Sequence, residues 1–212
     1  MNRLPGTVRQ LIAALRGLIV FTIICGIAYP VIMVGIGQAV FNKQANGSLV
    51  SYHGKVVGSS LLCQEFVDSK GSPLPQYFQP RPSEAALATV KGDYGCDPLD
   101  STASNLGPNN PVLVQDIKTR QQQIAKFDHV SVSQIPPDAV TTSASGLDPY
   151  ISPQNAAIQV DRVAAARHVS PAAVQALVSQ YTQGRVIGFL GEPRVNVLNL
   201  NIALDTKYPV SG

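Results

Sequence analysis

The sequence predicts a single N-terminal transmembrane helix followed by an α+β extracytoplasmic domain. Three observations lead there. From Gly17 to Asn42 (GLIVFTIICGIAYPVIMVGIGQAVFN) there is no charged side chain. Arg3, Arg9 and Arg16 precede this run, whereas the first acidic residue of the chain is Glu65. Beyond the run, proline-started helical stretches alternate with short strand-like and turn-rich ones.

The uncharged run comes first. As a helix its 26 residues rise about 39 Å, enough to cross a hydrocarbon core of about 30 Å with tilt or a kink. Tyr29-Pro30 is the place for that kink, because Pro30 lacks a backbone donor. Gly37-Gln38-Ala39 has the small-x-small pattern of a signal-peptidase site, but the apolar run is far longer than a signal peptide needs. The positive-inside rule then divides the chain into a cytoplasmic N-terminus (1–16), an anchor (17–42) and an extracytoplasmic domain (43–212). Thr22 and Gly26, and further on Gly35 and Ala39, are small residues four apart that let helices approach closely, so they are the candidate packing positions within the bilayer.

The net charge of +3 belongs to the anchor. Setting aside Arg3, Arg9, Arg16 and Lys43 leaves 12 basic against 13 acidic residues, and such a nearly neutral domain carries no nucleic-acid footprint. Cys25 lies in the membrane run, and Cys63 and Cys96 lie beyond it. In an oxidising compartment the latter two can pair; spacing alone leaves that open.

Asn46-Gly47 begins a turn, and His53-Gly54 is placed between two short strands within 49–66. The segment 71–85 (GSPLPQYFQPRPSEA) is proline-rich and irregular, and Ser83 is positioned to cap a short helix over 83–90. A long loop follows over 91–111. Asn110-Pro111 opens a helix whose Leu113, Ile117, Ile124 and Phe127 share a stripe. Ser152-Pro153 and Ser170-Pro171 open two more, the second ending at Gly184, and 194–205 alternates like a half-buried strand.

Few strings suggest chemistry. Asp116-Ile117-Lys118-Thr119 is loosely similar to the phosphorylation string Asp-Lys-Thr-Gly, but it sits mid-helix on a solvated face. The stretch 184–192 (GRVIGFLGE) lacks the Lys-Ser/Thr of a phosphate loop and is assigned to turns. The helix pair after Ser152 and Ser170 has the outline of a helix-turn-helix, read here as packing. His53, His129 and His168 show no ligand-like spacing, and no Gly-x-Ser-x-Gly elbow is present. A membrane-anchored binding protein or enzyme acting alone would need a cluster of convergent polar groups, and the sequence offers none. One span without a catalytic constellation is the natural form of a subunit in a membrane complex.

YFQPRPS (77–83), NLGPNNP (105–111), SASGLDPYISPQNAAIQVDRVAAAR (143–167) and GEPRVNVLNLNIALD (191–205), in that order, resemble the C subunit of the bacterial Kdp-type potassium-transporting ATPase. The resemblance covers nearly the whole chain. It implies a four-subunit pump in which a channel-like subunit binds potassium and a P-type ATPase subunit hydrolyses ATP, with a small single-span subunit beside them. The C subunit is then a non-catalytic accessory, needed for assembly and activity, which binds no cofactor tightly because ATP and potassium are handled by the complex. The family's usual description is of a catalytic chaperone that raises the ATP affinity of the hydrolysing subunit, with a nucleotide-contacting Gln that maps onto Gln159. The charge asymmetry places Gln159 outside, and a role in bridging packing is the reading its helix favours. The family's other proposal sets the outer domain over the ion entrance of the channel-like subunit. Ser145, Gly146, Leu147 and Asp148 form the candidate partner-docking loop, and lipid surrounds the anchor.

Overall fold

The computed structural model describes residues 5–85 and 95–210. The chain divides into two compact units, Met1–Leu49 and Val50–Gly212. In the first, one continuous helix of 35 residues, Gly6–Val40, is long and apolar enough to cross a membrane. It comprises α1 (Gly6–Phe21), a π-helical stretch over Thr22–Ala28 and α2 (Tyr29–Val40). The wider turns lie immediately before Pro30, where proline cannot donate to the preceding turn, so the expected kink is taken up as a π segment. The helix begins eleven residues before the uncharged run. Cys25 is a free thiol on its surface. Phe41 leaves the helical region at φ −125°, and a short turn, α3 (Asn42–Ala45), follows. Gln38, Asn42 and Asn46 bind this end together: Gln38 Oε1 accepts from Asn42 Nδ2 at 2.9 Å and from Asn46 Nδ2 at 3.0 Å.

A hairpin follows, β1 (Leu49–Tyr52) and β2 (Lys55–Ser59), all but its first residue in the second unit. Its turn residues, His53 and Gly54, both have positive φ, as a two-residue turn matched to strand twist requires. The described residues between β2 and Asn110 are irregular. The helix foreseen over 83–90 lies mostly outside the described residues. Helix α4 (Pro111–Asp128) is capped by Asn110, whose side chain accepts from Val112 N, and closed by His129 in the left-handed region. Its stripe of Leu113, Ile117, Ile124 and Phe127 is half-buried. A 3-10 turn (Val132–Gln134) and α5 (Pro137–Val140) lead to β3 (Tyr150–Ile151). Next come α6 (Pro153–Ala166) and α7 (Pro171–Tyr181), with Ser152 and Ser170 as the expected caps, then β4 (Thr182–Gln183), β5 (Arg194–Asn196) and α8 (Val197–Lys207). Strands β3 and β4 flank β5 antiparallel, with Ile151 opposite Val195 and Thr182 opposite Val195. The core gathers Phe78, Val163, Val174, Val195, Leu200 and Leu204 between this small sheet and α6, α7 and α8.

Two sequence expectations are corrected. The alternating stretch 194–205 forms only three residues of strand before Asn196, accepting from Asn199 N at 3.0 Å, caps a helix. Helix α8 buries Val197, Leu198, Leu200, Asn201, Ala203 and Leu204, so it is covered around most of its circumference and its apolar residues carry no 3.6-residue signature. Helix α7 ends at Tyr181 rather than at Gly184, because the next two residues pair with β5 instead of continuing the helix.

Candidate functional site

The proline-rich segment cannot form a strand ladder, yet part of it lies inside the domain, and its backbone groups must find partners there. Side chains from two helices supply them. Asn201 of α8 grips Phe78 from both sides: its Oδ1 accepts from Phe78 N and its Nδ2 donates to Phe78 O, each at 2.9 Å. Gln159 of α6 does the same one residue along, accepting from Gln79 N at 2.8 Å and donating to Gln79 O at 3.2 Å. Each amide thus pairs with a peptide group as a neighbouring strand would.

Two arginines hold the carbonyls before them. Arg162 Nη1 donates to Pro75 O at 2.7 Å and Tyr77 O at 2.9 Å, while Arg167 Nε donates to Gln76 O at 2.7 Å. The Gln79 side chain closes the bend by donating to Phe66 O and Leu74 O. Residues 75–79 therefore form a strap clamped through its backbone, with the Phe78 side chain fully buried.

Each clamping residue is itself held. Gln159 also donates to Asn155 Oδ1 at 3.0 Å and accepts from Arg162 Nη2 at 2.7 Å, so both amide hydrogens and both carbonyl lone-pair directions are engaged within the domain. Arg162 Nε donates to Asp128 Oδ1 at 2.7 Å in an ion pair whose two side chains are each only 5% exposed, and its guanidinium lies over the Phe127 ring. Burial pushes the Asp128 carboxyl above the ordinary carboxylate range, and Arg162 pulls it back. Arg167 pairs with Asp205, donates to Tyr208 O and lies over Tyr77. Burial, and then Asp205, raise the Tyr77 phenol.

An open groove of about 840 Å³ runs beside the strap along Gln79, Arg81, Glu84, Arg120, Asn155 and Gln159. Two ion pairs border it, Arg120 with Glu84 at 2.7 Å and Arg81 with Asp148 at 3.0 Å. Arg81 Nε is the one buried side-chain nitrogen or oxygen without a hydrogen-bond partner among the described residues. Also among the described residues, no three His, Cys, Asp or Glu side chains gather as metal ligands.

Residues 143–148 lie against the far end of the same segment. Cys63 and Cys96 form a disulfide with Cα atoms 5.9 Å apart, closing the choice the sequence left open. The carbonyls of Ser145, Gly146 and Leu147 accept from Ser101 Oγ, Ser83 Oγ and Cys63 N respectively. Asp148 accepts from Tyr150 N and pairs with Arg81. Gly146 has φ +73°, and a Cβ there would lie 2.6 Å from the Thr102 carbonyl oxygen. Of the candidate docking residues, Ser145 is exposed, Leu147 and Asp148 are half-buried and Gly146 is buried, its backbone holding the domain together.

In the first unit, Thr22 and Gly26 are surface neighbours, since a Cβ on Gly26 would meet Thr22 Cγ2 at 3.8 Å. Gly35 faces open space and Ala39 is exposed on the same helix.

Residues 11–206 match the family described as KdpC: K+-transporting ATPase, c chain. The chain belongs to the KdpC family. Among its relatives, the potassium-transporting ATPase KdpC subunit of Methylococcus capsulatus is 49% identical over 192 residues, covering 91% of this chain and 95% of that one. The subunit of the same name from Geobacter sulfurreducens is 45% identical, covering 95% and 100%. That from Streptomyces avermitilis is 44% identical and covers 96% of each chain. For this member of the KdpC family, sequence reasoning singled out Gln159 but missed Asp128, Arg162, Arg167 and Asn201. A signal was present in α6: Asn155, Gln159 and Arg162 stand at i, i+4 and i+7, a polar stripe beside the apolar stripe of Ala156, Val160 and Val163.

Proposed function

We propose that the chain is a non-catalytic accessory subunit of an ATP-driven, high-affinity potassium uptake complex, needed for its assembly and activity. Family membership across residues 11–206 carries this reading. The partners are a channel-like potassium-binding subunit, a P-type ATPase subunit and a small single-span subunit, which handle ATP and potassium between them. The helix Gly6–Val40 anchors the chain in the membrane, with Thr22, Gly26, Gly35 and Ala39 as the surfaces on which a neighbouring helix packs. Arg3, Arg9 and Arg16 favour a cytoplasmic N-terminus, and the Cys63–Cys96 disulfide favours an oxidising compartment for the second unit.

Gln159 then serves as a brace that positions the strap, rather than as a nucleotide contact. The support is that its amide already has a protein partner at every position. Any gain in ATP affinity by the hydrolysing subunit passes through the assembled complex. Purification through a tag on the channel-like subunit should bring the full chain down with it and yield potassium-stimulated ATP hydrolysis. A complex that assembles and turns over equally well without the chain would overturn the proposal. A cysteine in place of exposed Ser145 should react with a membrane-impermeant thiol reagent added to intact spheroplasts; protection there, with reaction only after lysis, would reverse the orientation.

A further inference from the structure

Among the described residues of the second unit, the loop joining β4 to β5 carries the most exposed run of apolar side chains. Val186, Ile187, Phe189 and Leu190 are 57%, 75%, 69% and 50% exposed. The loop is nonetheless formed. Val186 N donates to Leu190 O at 2.9 Å, Leu190 N donates back to Val186 O at 3.0 Å, and Gly188 N donates to Arg185 O at 3.2 Å. Its base is rooted in the core through Val195, which is fully buried at the centre of the three-stranded sheet. Ile187 sits at φ +47°, a region that a β-branched residue rarely adopts. That conformation turns Ile187 outward, where nothing in its own domain covers it. A loop serving only as a turn would place glycine or asparagine there and keep polar side chains at its tip.

We infer that Val186–Leu190 is a preformed plug that inserts into an apolar socket on the exposed surface of a membrane-embedded partner subunit. The inference rests on the reading above that the chain works inside a membrane complex. Charge decides against a lipid surface. Arg185 Nη2 is paired with Glu192 Oε2 at 2.8 Å and Arg194 lies over the Tyr150 ring, so the base of the loop carries one cation beyond its ion pair, whereas segments that lie on bilayers bring clusters of basic residues to the headgroups. Shape decides against a second copy of this chain. A symmetric pair would set plug against plug, and the groove of about 840 Å³ presents Lys70, Arg81, Glu84, Asp116 and Arg120 to an incoming apolar side chain. Size points to a partner in the same bilayer. Four side chains form a contact well below the roughly 800 Å² per partner of a free-standing interface, and co-anchoring by Gly6–Val40 supplies the missing effective concentration.

The test uses the full chain in its assembled complex, with a photo-reactive benzophenone amino acid at Phe189. The expected result is a cross-link to the polypeptide of another membrane subunit. On the same material, Phe189→Asp and Ile187→Asp should each lower retention of the chain by about tenfold or more, as loss of a buried large apolar side chain implies. Cross-linking only to lipid or only to a second copy of the chain would overturn the inference, as would full retention of both variants. The cross-link is read on an otherwise unaltered chain, so it stands even where an aspartate variant misfolds. If the unaltered chain itself fails to co-purify, the wider reading fails; if it co-purifies and the plug variants do too, only the plug fails.

Discussion

Replacing Arg162 by methionine keeps the aliphatic stem and most of the volume while removing the charge and four hydrogen bonds. Those bonds run to Asp128 Oδ1, Pro75 O, Tyr77 O and Gln159 Oε1. The largest cost is the Asp128 carboxylate, left buried without its counter-charge, which removal of one partner of a buried pair puts at about 3–5 kcal/mol. Orphaned carbonyls would add about 1–3 kcal/mol each if nothing relaxed. Protonation of Asp128, which burial already favours, and entry of water offset part of that sum, so a net loss of about 4 kcal/mol is expected. The double variant Arg162→Met/Asp128→Leu removes the stranded charge and should recover at least about 2 kcal/mol. The chain has no Trp and seven Tyr, so urea unfolding of the full chain in detergent can be followed by tyrosine emission and circular dichroism. A single variant that loses less than about 1 kcal/mol would refute the clamp as a stabilising element, and a double variant no better than the single would refute the charge as the source of the cost.

Gln159→Glu removes the donors to Gln79 O and Asn155 Oδ1; it should lower the unfolding midpoint while leaving KM for ATP of the purified complex unchanged, and a raised KM at normal stability would instead favour direct nucleotide contact. Because burial raises the Asp128 pKa above its unfolded value of 3.8, its contribution to stability is fully present below that value and is lost as pH rises through the folded pKa. The stability difference between the unaltered chain and Asp128→Asn should therefore move in favour of the unaltered chain as pH falls from neutral toward 4, and a flat or opposite trend in urea midpoints would contradict it. Gly146→Ala, strained by its φ of +73° and facing the Thr102 carbonyl, should cost about 2 kcal/mol or more in the same assay. Deleting residues 1–42 should leave a folded, soluble second unit that no longer stays with the complex, which gel filtration and co-purification would show.

Where local chemistry governs, the fold was legible in the sequence. The Asn110-Pro111, Ser152-Pro153 and Ser170-Pro171 caps open their helices where expected, since a side-chain acceptor followed by proline acts within one turn. His53-Gly54 makes its hairpin turn by an equally local cause, the positive φ that both residues adopt. Helix α8 was not legible, because burial on most sides removes the periodicity that marks a surface helix. The clamp was half legible. Gln159 drew notice through a resemblance, and Arg162 stands one turn along the same helix, but Gln79 becomes their neighbour only once residues 75–79 are laid between α6 and α8. Spacing along a chain says little about contacts that link residues 80 or more positions apart, and Cys63–Cys96, 33 apart, was likewise undecidable before the two Cα positions were known.

The strap also sets an order of events as the chain folds. Phe78 is held by Asn201, 123 residues later, and Tyr77 meets Asp205 across 128. Arg167, which grips Gln76, is in turn held by the carbonyl of Tyr208, 41 residues later. Residues 75–79 can therefore reach their buried places only after the chain as far as Tyr208 has left the ribosome. Until then the carbonyls of Pro75, Gln76 and Tyr77 remain in water and the Phe78 ring has no core to enter. Such long-range closure makes folding slow and late. A nascent chain stopped short of α8 would carry its apolar helix and its disulfide cysteines but no clasp, and would be open to proteases until residues 201–208 arrived.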